Sequence, residues 1–177
     1  MIRTPRRAKP MGKKAEYGTR LGMVLLLFGL VAGCGPQTET LHPPEGPQAL
    51  LDEWVGMWNS YDLNQVGQLF LNDHRLTYFS SEREGVIRGM EALVEHHEGF
   101  GFVPGGDERE SKLWLEELET DVFGDAAVAT AIWFFQSDPS APQDPQRGPV
   151  TFVCLWTDLG WRFTHMNFSA YLPPEGA

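Results

Sequence analysis

The sequence predicts a domain of the α+β class, in which helices come first along the chain and long antiparallel strands follow. Residues 48–99 mostly place apolar side chains every three or four positions, which is the period of an amphipathic helix. Residues 112–171 instead hold long extended patterns that are separated by short turn signals. This segregation of helices from strands separates the domain from the alternating α/β class.

The first predicted helix begins near Pro47, because proline suits the first turn of a helix. Its apolar residues fall on one stripe: Ala49, Leu50, Trp54, Met57, Trp58 and Tyr61. Asp62 followed by Gln65 is typical of a capping box, in which two side chains satisfy backbone N–H groups at a helix start. The pair predicts a second, short helix, whose apolar residues are Val66, Leu69 and Phe70.

A short hairpin and a third helix follow. Residues 75–80 predict a strand, 82–85 a turn and 86–88 a short return strand. The third helix is expected from Gly89 to Gly99, because glycine commonly ends a helix. Its apolar face comprises Met90, Leu93, Val94 and His97.

Four strands are predicted in the second half of the domain: 112–122, 126–135, 150–157 and 161–171. The run 126–135 is almost wholly apolar, so we expect both of its faces to be covered. Turn residues at 123–125 and 158–160 join neighbouring strands. Residues 137–149 contain four prolines and predict a long exposed loop.

The N-terminal residues carry an export signal. Residues 1–33 hold seven Lys and Arg residues and one acid, and they include the apolar run 21–32. A helix of this length spans roughly 18 Å, short of the roughly 30 Å of a bilayer core, so the run fits a signal peptide better than a spanning helix. The string Val31-Ala32-Gly33-Cys34 resembles the bacterial lipobox, which implies lipid on the cysteine sulfur and cleavage before the cysteine. An ordinary secretory signal and an uncleaved anchor remain alternatives, and the start codon is either Met1 or Met11.

These patterns divide the chain into four parts: a lipoprotein signal peptide (1–33), a flexible proline-rich tether (34–47), the domain itself (48–171) and a tail (172–177). Several acyl chains on Cys34 would anchor the protein stably to a membrane of the cell envelope. Gly35 stands where an Asp favours inner-membrane retention in similar lipoproteins. This implies the outer membrane, with the domain facing the periplasm.

The charge of the chain beyond the signal excludes one class of partner. Residues 34–177 hold 7 basic and 23 acidic residues, a net charge of −16. Such a body repels phosphate backbones, so we expect no nucleic-acid binding. Cys154 lies in an apolar run and is expected to be an inert core residue.

Three stretches of the domain resemble the NTF2-like superfamily, and within it the SnoaL-like domains of unknown function. They are residues 57–70, 77–89 and 160–169, the last of which reads Gly-Trp-Arg-Phe-Thr-His-Met-Asn-Phe-Ser. The resemblance implies an NTF2-like cone, in which three N-terminal helices pack in a curved, mostly antiparallel sheet around one pocket. The superfamily contains isomerases, dehydratases, cyclases and non-enzymatic binding modules, so this fold does not define a function.

The last predicted strand carries the candidate pocket wall. Alternation with a period of two puts five of its residues on one face: Trp161, Phe163, His165, Asn167 and Ser169. A mainly apolar wall with a few polar groups is typical of ligand pockets, and the resemblance implies that this face lines the cone. Trp58 and Tyr78 complete the candidate lining, whereas Phe168 is expected on the opposite face.

His165 has two open interpretations. It is either a general base or hydrogen-bond partner of a ligand, or a core histidine bonded to a backbone carbonyl. Dehydratase-like members of the superfamily use a pair of histidines, and Asn167 stands where the second is common, so no catalytic residue is assigned. The adjacent His96 and His97 would point about 100° apart on a helix, so we expect no metal site there. No cofactor-binding motif is recognised either.

Two functional classes therefore remain open. The first is a non-catalytic module that binds a small apolar or aromatic ligand or a protein partner. The second is a small-molecule enzyme, such as an isomerase, dehydratase or hydrolase, that uses the cone pocket. A carboxylate facing His165 across the cone would favour the enzyme, whereas a pocket filled by its own tryptophans would favour the first class. We also expect a homodimer, because the run 126–135 is apolar on both faces and similar domains often dimerise through the sheet.

Overall fold

The computed structural model describes residues 45–140 and 145–171 of the 177-residue chain. The predicted signal peptide, Cys34, most of the tether and the tail lie outside these residues, so what is expected of them remains a prediction. No helix within 45–140 or 145–171 is long and apolar enough to span a membrane.

Three helices and six strands make up the described part of the chain. They are α1 (Gln48–Ser60), α2 (Leu63–Leu69), β1 (Thr77–Phe79), β2 (Ile87–Arg88), α3 (Gly89–Gly99), β3 (Lys112–Phe123), β4 (Ala126–Gln136), β5 (Gln146–Thr157) and β6 (Gly160–Phe168). The strands form one curved, unclosed sheet in the order β2-β1-β6-β5-β4-β3. Every pair of neighbours is antiparallel except β1 and β6, which run parallel. The predicted α+β class is confirmed.

Helix α1 forms the centre of the core. Pro47 lies just before the helix, and its carbonyl accepts the Leu51 N–H at 3.1 Å. The residue after the helix, Tyr61, has a φ of 53°, which turns the chain, and its N–H donates to the Met57 carbonyl. The buried stripe differs from the predicted one at its start, because Ala49 is exposed and Leu51 is buried. The buried residues of the helix are Leu50, Leu51, Trp54, Met57 and Trp58.

Helix α2 starts at the predicted cap, but only half of the capping box forms. The Asp62 carboxylate accepts the N–H groups of Asn64 at 3.0 Å and of Gly105 at 2.9 Å. These bonds stabilise the charged form, the Asn64 bond most, and lower the pKa of Asp62. The Gln65 amide donates to Ser60 Oγ at 3.3 Å. Ser60 Oγ in turn accepts the Asp62 N–H at 3.4 Å, so a hydroxyl takes the role that the glutamine was expected to have.

Strand β5 begins four residues earlier than predicted. Its first residue, Gln146, pairs with Phe135 of β4, so 146–149 belong to the sheet and not to an exposed loop. The reason is that the last residues of the apolar run in β4, Ile132 to Phe135, supply pairing partners for all four of these residues. The neighbouring strand β6 stops at Phe168 instead of continuing to Tyr171.

The two faces of the sheet are buried to different degrees. On β4 the buried residues alternate with half-buried ones along most of the strand. The buried set faces the helices and comprises Ala127, Ala129, Ala131 and Trp133. The opposite face carries Val128, Ile132 and Phe134, which are half-buried in the single chain. The sequence predicts that both faces of this strand are covered. In the single chain, only the face towards the helices, which is the concave face of the curved sheet, is fully buried.

Candidate functional site

The concave face of the sheet is filled largely by the protein's own aromatic rings. Trp54 of α1 is fully buried and meets Phe152 of β5 edge to face, with ring centroids 5.0 Å apart. Trp58, one turn further along α1, meets Phe102 in the same way at 5.1 Å. Such pairs contribute roughly 0.5–1.5 kcal/mol beyond the burial of apolar area. The rings leave limited free space on this side of the sheet.

A cavity of about 80 Å³ remains beside these rings. One water needs about 10–15 Å³ on the same scale, so there is room for several waters or a small organic group. Seven of the twelve residues around the cavity are aromatic: Trp58, Tyr61, Tyr78, Phe100, Trp133, Phe135 and Phe168. An apolar wall of this kind with a few polar groups is what small-molecule sites require.

The polar lining comes from two segments. Ser80, Ser81 and Glu82 belong to the connection between β1 and β2, and Gln146 is the first residue of β5. The Ser80 hydroxyl accepts the Glu82 N–H at 3.1 Å, which holds this short turn in place. Among the described residues of the lining, Glu82 is the charged one. It takes part in none of the three ion pairs found among the described residues.

The polar atoms of two lining rings are already engaged. Trp133 Nε1 donates to the Ser169 carbonyl at 2.6 Å, and the Tyr61 hydroxyl shares a 3.2 Å hydrogen bond with Ser111 Oγ. Trp58 Nε1 has no acceptor among the described residues and is itself buried. Burial raises the pKa of Tyr78, so its hydroxyl stays neutral. The cavity wall therefore presents mainly ring carbon.

The predicted common face of β6 is wrong, and a β-bulge is the reason. Val153 of β5 pairs with His165 while the next residue, Cys154, pairs with Phe163, which leaves Thr164 as an extra residue in β6. One inserted residue sends the side chains beyond it to the other face.

The bulge divides the candidate lining residues between the two faces. Before it, Trp161 and Phe163 are buried on the concave side, although neither borders the cavity. Beyond it, Met166 and Phe168 are buried on that side. The more exposed residues His165 and Asn167 lie on the other face.

Of the remaining candidates, Trp58 and Tyr78 both border the cavity. Phe168, expected on the opposite face, borders it as well and stacks on Trp133 with centroids 4.4 Å apart.

His165 is a half-buried residue of the outer sheet face. Its Nδ1 lies 2.8 Å from Thr77 Oγ1 on the neighbouring strand β1, and its ring meets Phe79 at 6.0 Å. Burial lowers its pKa. The role of general base or ligand partner does not fit this position, because His165 faces away from the cavity. The role of a core histidine bonded to a backbone carbonyl does not fit either, because the hydrogen-bond partner is the Thr77 hydroxyl.

The histidine bonded to a backbone carbonyl is His97 of α3. Its Nδ1 donates to the Leu93 carbonyl at 2.9 Å, which leaves Nε2 as an acceptor. Nε2 has no hydrogen-bond partner among the described residues. Burial lowers the pKa of His97 to about 4, which keeps the ring neutral at ordinary pH. The ring packs against Trp58 at 5.7 Å and Tyr78 at 6.0 Å, directly behind two residues of the cavity wall. The helical pattern marked His97 as part of a buried face, but nothing in the sequence pointed to this bond.

The chemistry available around the cavity is limited. Within the part of the chain that the structure describes, no group of three or more His, Cys, Asp or Glu residues could hold a metal ion. Cys154 is a free, buried thiol whose pKa burial raises to about 12, in agreement with its predicted role as an inert core residue. The ionisable lining groups are Glu82 and two tyrosines. This set contains no pair of base and nucleophile of the kind that covalent catalysis uses.

Comparison with known proteins gives the fold. Neither a scan against protein-family models nor a search of curated proteins found a match. Among solved structures, an NTF2-like protein of unknown function from Pseudomonas putida KT2440 is 18% identical with a TM-score of 0.61, covering 72% of this chain and 86% of that one. An NTF2-like superfamily protein from Salmonella enterica serovar Typhimurium is 21% identical with a TM-score of 0.56, covering 73% and 89%. An uncharacterized protein with a cystatin-like fold from Caulobacter vibrioides is 19% identical with a TM-score of 0.58, covering 72% and 89%. The described domain therefore has the NTF2-like fold.

Proposed function

We propose that this protein is a lipid-anchored module of the cell envelope that binds a small apolar or aromatic ligand without transforming it. The observation that carries the binding role is the cavity, in which seven aromatic residues surround a small free volume and four polar residues stand among the rest of the lining. The described lining holds no pair of base and nucleophile, which favours binding over covalent catalysis. The enzyme alternative drew its support from His165, which lies on the outer face of the sheet.

Filling the cavity is the direct test of this role. Leu113→Phe places extra ring carbon at a buried lining position, so it should abolish binding of small aromatic probes such as phenol or indole. His165→Ala, on the other face of the sheet, is the control and should leave binding unchanged. Isothermal titration calorimetry on the full-length protein gives the affinities, and thermal melting shows whether each variant is folded. Equal binding by wild type and a folded Leu113→Phe variant would contradict the proposed site.

The anchor rests on Cys34 and its surrounding motif. Cys34→Ser removes the sulfur that would carry the diacylglyceryl group, so the variant should lose metabolic palmitate labelling and partition into the aqueous phase of a detergent extraction. Cys154→Ser is the matched control, because that thiol is buried in the domain. Equal labelling of wild type and Cys34→Ser would refute lipidation at this position.

A further inference from the structure

We propose that the ligand of the cavity is a small organic cation, such as a methylated ammonium, held among aromatic rings and by the charge of Glu82. This inference rests on the proposed binding function and changes its ligand from a neutral apolar or aromatic molecule to a cation whose methyl groups supply the apolar surface. Three features of the described residues carry it: the ring content of the wall, the charge of the lining, and a cation that already lies on one of the same rings.

The first feature is the number and arrangement of the rings. The faces of aromatic rings carry partial negative charge, and cations are attracted to them within about 6 Å of the ring centroid. Phe168 lies nearly parallel to Trp133, with 18° between planes, and to Trp58, with 5° between planes. All three residues border the cavity, and Phe168 is stacked with each of the two tryptophans. Quaternary ammonium groups are recognised by clusters of aromatic residues.

The second feature is the sign of the charge. Among the described residues no Lys, Arg or His borders the cavity, and the charged lining residue is Glu82. Its carboxylate is in none of the ion pairs of this part of the chain. A ligand anion would be repelled by this negative charge. A cation would gain attraction from both the rings and the carboxylate.

The third feature is a contact between a cation and an aromatic ring within the domain, which resembles the proposed complex. The guanidinium carbon of Arg109 lies 4.1 Å from the centroid of the Tyr61 ring, and Tyr61 also borders the cavity. Arg109 Nε donates to the Asp107 carboxylate at 3.2 Å, so here a cation lies between a ring and an acid. The lining of the cavity combines aromatic residues with the carboxylate of Glu82 in a similar way.

Three probes of one shape and different charge test the class of ligand. Choline is the cation, 3,3-dimethylbutan-1-ol is its neutral counterpart and 3,3-dimethylbutanoate is an anion of similar shape. In calorimetric titrations of the full-length protein, choline should bind about tenfold more tightly than the alcohol, because cation–ring attraction acts in a partly desolvated site. The anion should bind more weakly than either.

A matched pair of variants tests the role of the carboxylate. Glu82→Gln should weaken choline binding by about threefold, since the side chain is exposed and its charge is partly screened, and it should leave the affinity for the alcohol unchanged. Glu84→Gln, an exposed acid of the same connection that does not border the cavity, should change neither affinity. Both variants should keep the wild-type melting temperature, because neither side chain is buried.

The outcomes separate this inference from the function on which it rests. Equal affinities for choline and the alcohol, or no effect of Glu82→Gln on choline binding, would overturn the cation class while leaving a small-ligand site in place. Tighter binding of the anion would overturn it as well. Failure of all three probes to bind, together with failure of phenol and indole, would count against the proposed function itself.

Discussion

The two faces of strand β4 both carry apolar residues but have different surroundings. The concave face packs against three helices and carries fully buried rings such as Phe152, together with the cavity. The outer face carries apolar residues of the same kind, such as Phe134, but the single chain leaves them half-buried. The apolar residues of β4 predict that both of its faces are covered. The burial within one chain shows that only one face belongs to the core, and the other remains open to a partner.

The largest expected difference between the faces is in stability. Phe152→Ala removes a fully buried ring that contacts Trp54 and Phe163, and it should lower the free energy of unfolding by about 3–5 kcal/mol. Phe134→Ala removes the same atoms from the outer face, where the ring stacks on Trp114 at 5.2 Å, and should cost about 1 kcal/mol. Urea denaturation of both variants measures the two losses. Similar losses would mean that the outer face is as well packed as the core.

The next effect is a dependence of stability on pH that comes from the buried histidine. Burial lowers the pKa of His97 to about 4, against about 6.5 in the unfolded chain. Its contribution to stability is therefore complete above about pH 6.5 and is lost as the pH falls towards 4, a change of about 3 kcal/mol at most. Carboxylates with a lowered pKa, such as Asp62 and Asp73, lose their contribution only at lower pH.

Chemical denaturation at pH 7, 5.5 and 4.5 follows this loss. His97→Gln should reduce the change in the free energy of unfolding between pH 7 and 4.5. His165→Ala, on the half-buried outer face, should leave most of this change in place. A profile that stays steep in His97→Gln would show that other groups govern the pH dependence.

A smaller effect is expected on self-association through the outer face. We expect the protein to form a homodimer that covers the half-buried residues of β4. Val128→Lys and Ile132→Lys each place a charge on this face and should weaken the dimer about tenfold or more, or about 1.4 kcal/mol. Gln68→Lys, an exposed position on α2, is the control. Light scattering at tens of micromolar protein measures the molecular mass, and a monomer mass for the wild type would contradict the predicted dimer.

The smallest effect separates the two sides of the bulge in β6. His165→Ala removes the hydrogen bond to Thr77 and should cost about 1 kcal/mol of stability, with ligand affinity unchanged. Phe168→Ala removes a ring from the cavity wall and should weaken binding of aromatic or cationic probes. Loss of binding in a folded His165→Ala variant, with normal binding in Phe168→Ala, would mean that the bulge does not define the two faces in solution.

Most of the fold could be predicted from local patterns. The helix and strand order, the Asp62 cap and the buried face of α3 follow from residue spacing and capping chemistry, which act within a few residues along the chain. The site could be predicted only in part. Trp58 and Tyr78 border the cavity, and strand alternation places Ser80 on the same side as Tyr78, but Ser81, Glu82 and Gln146 also border it, and no periodic pattern points to them. Their place at the cavity depends on how the β1–β2 connection and the start of β5 meet in space.

The sequence by itself determined the class of the domain, the identity of the aromatic residues that fill it and the acidity of its surface, because these depend on composition and on local spacing. Only the tertiary structure decided which β6 residues face the cavity. The extra residue at Thr164 exists because β6 must pair with β5 across a curved sheet, and that requirement is a property of two strands together. Alternation along one strand cannot reveal an inserted residue, so His165 and Phe168 exchanged their expected faces.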